Sequence, residues 1–93
     1  MISMVAFSES SVLQRIVGLD RADMPVDVAR YMLSLRFSVA EKQRMNELAS
    51  KASAGQLDEA ESHEIDTYLL VSDFLAILHS KARMSLREAP PVR

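Results

Sequence analysis

The chain of 93 residues contains no cysteine and no tryptophan, and its only aromatic rings are three Phe and two Tyr. Without cysteine there is no disulfide framework, no thiol nucleophile and no thiolate metal ligand, which suits a reducing compartment. So few aromatics leave little for stacking on single-stranded nucleic acid. Glycine occurs twice, so no glycine-rich phosphate loop can be built. Long apolar runs are missing as well. The stretch from Leu69 to Leu78 is interrupted by Asp73 and is far short of the roughly 20 residues a membrane helix needs. The first seven residues lack the basic flank of a secretion signal. These absences predict a single cytoplasmic domain with no membrane segment, no metal and no cofactor.

What is present is helical. From Asp58 to about Arg87 the sequence contains no Gly or Pro, so nothing inside should break a helix. Asp58 followed by Glu61 is a capping-box pattern. Glu59, Glu61 and Glu64 complement the positive end of the helix dipole, and Lys81, Arg83 and Arg87 the negative end. Pro90 and Pro91 stop the helix. At 100° per residue, Leu70, Phe74, Ile77 and Met84 form one apolar strip, and Tyr68, Val71, Leu75, Leu78, Ala82 and Leu86 a second beside it. The two strips cover about 200° of the wheel, twice the stripe of an ordinary surface helix. Ser72, Asp73, His79, Ser80 and Arg83 fall on the other side.

A second helix opens at Ser38, with Glu41 three residues on as another capping box. Met45, Leu48, Ala49 and Ala52 give it a narrow apolar stripe, and Gly55 supplies a left-handed C-terminal position. The short link to Asp58 predicts a helical hairpin with a core of Met45, Leu48, Ala49, Ala52, Val71, Leu75 and Leu78. Upstream, Val12, Leu13, Ile16 and Val17 suggest a short helix ending at Gly18. Pro25 then sits in the first turn of another, whose apolar face is Val28, Ala29, Met32, Leu33 and Leu35. The expected fold is all-α. Residues 1–36 form a helical arm of two short helices, 37–89 a hairpin with a long second helix, and 90–93 a tail.

The long helix needs two neighbours, and length points to where the second comes from. About 30 residues at 1.5 Å make a rod of roughly 45 Å, whereas a compact domain of this size is roughly 32 Å across. A homodimer or a bound partner would cover the overhang. The strip Leu70, Phe74, Ile77 and Met84 is the expected partner-binding surface. Charge patterning fits antiparallel helices: residues 54–80 carry six acids and no Lys or Arg, while Lys42, Arg44 and Lys51 precede them.

Candidate chemistry is sparse. With Gly55 at the sixth position of a calcium loop, two of the preceding ligand positions fall on Ala52 and Ala54, which offer no side-chain oxygen. His63 and His79 are roughly 24 Å apart on one helix and cannot share a metal within one chain. The acids Asp58, Glu59, Glu61, Glu64 and Asp66 lie at a solvated helix start, with no pocket to separate their pKa values. Lys81, Arg83, Arg87 and Arg93 are too few for a phosphate-binding surface. No catalytic residue is expected. The readings that survive are a protein-binding module, a homo-oligomeric structural protein and, third, a weak DNA-binding regulator.

Residues Leu33 to Leu86 resemble a group of small uncharacterised bacterial proteins. The resemblance is carried by Leu33, Leu35, Phe37 and Ser38, by the Gly55 and Leu57 turn, and by the closing Lys81, Ala82 and Arg83. Asp58 stands where Ser or Thr is commoner, and His79 where Gln is usual. Such proteins are often encoded beside small HNH nuclease-like genes. The resemblance implies an antitoxin-like or accessory role with a nuclease-like partner, and it implies no catalytic residues.

Overall fold

The computed structural model describes residues 8–89, and among them the secondary structure is entirely helical. The order is α1 (Glu9–Val17), α2 (Val26–Ser34), α3 (Val39–Ser53) and α4 (Glu59–Arg87). The tail residues 90–93 and the first seven lie outside the described residues.

Local chemistry explains each helix end. Ser8 caps α1, its Oγ accepting from Ser11 N at 3.2 Å. Gly18 closes α1 at φ 73°, with its N–H donating to Gln14 O at 2.9 Å. That left-handed conformation is open to glycine but costs other residues about 1–2 kcal/mol. Ser38 and Glu41 form a reciprocal capping box at the start of α3. The other end of α3 is a Schellman motif: Gln56 N–H donates to Lys51 O at 2.8 Å and Gly55 N–H to Ala52 O at 3.1 Å, with Gly55 at φ 69°. Asp58 Oδ1 accepts from Glu61 N at 2.8 Å, while Asp58 N–H donates to Glu61 Oε1 at 3.2 Å, so α4 also opens on a capping box.

The described chain falls into two compact units. Among the described residues, one joins residues 8–35 with residues 73–89, and the other is Arg36–Ser72. Residues 8–35 cluster with the second half of α4, and α4 contributes residues to both units.

In the Arg36–Ser72 unit, Arg44 pairs with Glu64 at 2.8 Å and Lys51 pairs with Glu61. As numbers rise along α3 they fall along α4, so the two run antiparallel in this unit. Leu48 lies between those two basic residues on α3 and is fully buried. The inward line of α3 is therefore Arg44, Leu48 and Lys51, one or two turns apart. Ala49 and Ala52, expected in the hairpin core, are exposed, and so is Val71. The physical reason is rotational. Turning the long basic side chains toward Glu61 and Glu64 carries the alanines, which have almost no surface to bury, round to solvent. Met45 is half-buried.

In the other unit the fully buried side chains include Ala29 of α2 and Ala82 of α4. Ile77, placed by the sequence on the exposed partner-binding strip, is only 8% exposed and belongs to this core. Phe74, Leu75, Leu78 and Met84 are half-buried, while Leu70 remains exposed.

Candidate functional site

The most specific chemistry of the molecule is in the unit that joins the chain start to the second half of α4. Lys81 is 3% exposed. Its ammonium donates to Gly18 O at 2.7 Å, to Arg21 O, and to the Asp23 carboxylate. Gly18 makes this possible, because its left-handed turn ends α1 and leaves the carbonyls of the following loop directed away from a helical ladder. Asp23 is held on both sides, by Lys81 through Oδ1 and by Arg21 Nε at 3.2 Å through Oδ2. Lys81, then Arg21, keeps the Asp23 carboxyl below the usual carboxylate range. One turn beyond Lys81, the buried Ser85 accepts from Met24 N–H at 3.1 Å through Oγ. Two residues before Lys81, on another face of α4, His79 Nε2 lies 2.9 Å from Leu35 O, just past the end of α2.

Three polar side chains of α4 thus hold backbone groups of the loop after α1, the start of α2 and the end of α2. No buried side-chain nitrogen or oxygen among the described residues lacks a partner. A buried ammonium is costly unless its donors are satisfied, and here two carbonyls and a carboxylate satisfy them. The arrangement fixes the 18–24 loop.

Sequence reasoning missed this cluster. It assigned Lys81 to the helix dipole or to nucleic acid and set His79 on the polar side. The structure buries Lys81 and half-buries His79. The signal was on the helical wheel. Lys81 falls about 20° from both Leu70 and Phe74, in the middle of the first apolar strip. A lysine at such a place either interrupts a docking face or serves its own chain, and here it serves its own chain.

Helix α1 belongs to the same unit. None of its residues is buried, although Val12, Leu13 and Ile16 line one side of it. Ile16 is 71% exposed and Val12 38%. With Glu9 and Phe74 they line an open groove of about 380 Å³. Of the strip expected from the sequence, Phe74 is thus the residue brought to an apolar groove, and Ile77 is not.

In the Arg36–Ser72 unit, ion pairs between α3 and α4 flank the buried Leu48. Arg44 Nε and Nη2 donate to the two Glu64 oxygens, both at 2.8 Å, a bidentate pair. The same guanidinium lies 3.0 Å from Glu47 and 3.7 Å from Glu61. Arg44 lowers the Glu64 pKa, and Lys51, aided by Asp58 N–H, lowers that of Glu61. A carboxyl whose folded pKa is depressed stabilises the fold above its unfolded value of about 4, and that contribution disappears as pH falls through the folded value. Urea midpoints are therefore expected to be flat from neutrality to about pH 5 and to drop below it. Glu64→Gln should flatten part of that drop. An acid limb identical in the variant would mean that the Arg44 pair does not contribute.

Among the described residues, no group of three or more His, Cys, Asp or Glu side chains is placed to hold a metal ion, and no helix is long and apolar enough to cross a membrane. No family model, curated protein or solved structure matches the chain.

Proposed function

We propose that the chain is a non-catalytic protein-binding module with an antitoxin-like or accessory role in the cytoplasm. Its docking face is the apolar side of α1 together with Phe74. The observation that carries this reading is that α1 has a sided apolar surface and no buried residue. Isolated exposed apolar side chains are ordinary. A contiguous group rimmed by polar residues such as Glu9 is the usual appearance of an interaction surface. Ile77 is buried and so is withdrawn from the surface proposed on sequence grounds. The resemblance supplies the expected partner, a nuclease-like protein. A second copy of this chain is the other occupant the same half-covered helix favours, which would make the protein a homodimer.

Ile16→Asp is the cleanest test because the side chain is largely exposed and its loss should spare the fold. Burying one isoleucine contributes about 2 kcal/mol, so a partner using this face should bind roughly thirtyfold more weakly. Phe74→Asp should act in the same direction, with some loss of stability. Wild-type protein retaining a stoichiometric partner, with Ile16→Asp losing it at unchanged helicity, supports the module. A wild-type dimer that Ile16→Asp converts to monomer, with no other protein bound, assigns the face to self-association. Full retention of the partner by both variants rules the face out.

A further inference from the structure

The Arg36–Ser72 unit carries a second groove, which shares no residue with the α1 face. It is open, about 470 Å³, and its apolar wall is built from Phe37, Ala60, Tyr68 and Val71. Phe37 and Tyr68 meet edge to face, with ring centroids 5.9 Å apart at 67°, which holds both rings in place. Two carboxylates, Glu41 and Glu64, complete the lining together with His63 and Thr67.

The charges around this groove do not balance. Glu64 takes two hydrogen bonds from Arg44, but that guanidinium also serves Glu47 and stands near Glu61. Lys51 serves Glu61. Glu41 accepts only from Ser38 N–H at 3.5 Å and Ser38 O–H at 3.3 Å, neither of them a cation. Arg44 and Lys51 are thus engaged by Glu47, Glu61 and Glu64, and neither reaches Glu41. The residues lining the groove include two carboxylates and no Lys or Arg, beside two half-buried rings and the exposed Val71.

An apolar wall with a carboxylate at its edge that no cation meets, Glu41, and a second shared with Arg44, Glu64, is complementary to a long basic side chain. The aliphatic stem of Lys or Arg covers apolar surface while its head remains with the carboxylates, and a guanidinium or ammonium is attracted to the face of an aromatic ring. An anionic or purely aliphatic ligand would gain the apolar contact alone. We infer that this groove receives a lysine or arginine side chain carried on an apolar segment of a protein partner. Phe37, Tyr68 and Val71 take the stem and Glu41 the charge, with Glu64 beside it.

The test uses the full chain, labelled for amide NMR, and three capped tripeptides: Leu-Arg-Leu, Leu-norleucine-Leu and Leu-Glu-Leu. The arginine peptide should give saturable shifts at Phe37, Ala60, His63 and Tyr68. An exposed charge contact is modest, so it should bind roughly fivefold more tightly than the norleucine peptide, an advantage that falls with salt. The glutamate peptide should be the weakest. Glu41→Gln keeps the capping box, since Gln serves at that position as Glu does, and should remove most of the arginine preference at unchanged helicity. Ala60→Phe, at an exposed site in the first turn of α4, should fill the groove and remove binding of all three. Equal affinity for the arginine and norleucine peptides overturns the inference. So does a preference unaffected by Glu41→Gln, a set of shifts elsewhere on the chain, or no saturable shift with any peptide at millimolar concentration.

Discussion

Lys81→Met is expected to lower the unfolding free energy by about 3 kcal/mol, one of the two largest single-residue losses in the protein. Methionine matches the lysine stem in length and keeps its packing, so the loss reports the ammonium. Without it, Arg21 O loses its donor, Gly18 O keeps only the N–H of Arg21 at 3.1 Å, and Asp23 keeps only Arg21. Asp23 is largely exposed and regains water, which holds the cost at the lower end of the range for a broken buried pair. Ser85→Ala should cost about 1 kcal/mol, the ordinary penalty for leaving the Met24 N–H without its acceptor. Urea unfolding measures both. Amide exchange adds the location: protection should fall first at Met24 and through the loop after α1, ahead of the Arg36–Ser72 unit. A Lys81→Met variant within about 0.5 kcal/mol of wild type would mean that the ammonium does not hold the loop.

Leu48→Ala should produce a loss of similar size, about 3 kcal/mol. Leu48 is the largest side chain among the described residues to be completely removed from solvent. Its truncation removes apolar surface and leaves a cavity flanked by the Arg44 and Lys51 pairs, which cannot close over it without lengthening. The comparison that gives this number meaning is Ala49→Arg. Ala49 is exposed, so the larger side chain should be tolerated to within about 0.5 kcal/mol. On the helix face expected from the sequence, both positions are core and Ala49→Arg would be severely destabilising. Denaturant midpoints of the two variants decide between the faces: a large loss at Ala49 with a small one at Leu48 would reverse the orientation of α3.

The sequence by itself determined the all-helical character and the ends of the helices. Those features depend on interactions spanning three to five residues. Ser38 meets Glu41, Asp58 meets Glu61, and Gly18 and Gly55 take the positive φ that other residues resist. Residues so near in sequence find each other in any tertiary setting, and the absence of Gly and Pro between Asp58 and Ala89 left one long helix as the natural outcome.

Only the tertiary structure decided which faces are buried. Periodicity gave α4 a broad apolar arc, but an arc wider than one neighbour can cover leaves its orientation open. The decision came from side chains whose partners are remote. Lys81 reaches Gly18 and Arg21, 63 and 60 positions away, and Ser85 reaches Met24 at 61. These contacts draw Ile77 inward with them and leave α1 only partly covered. On α3 the contest was between small alanines and longer Arg44, Leu48 and Lys51. The longer side chains won because they had both surface to bury and acids opposite to meet. No local pattern ranks such alternatives, since their energies exist only once distant segments are brought together.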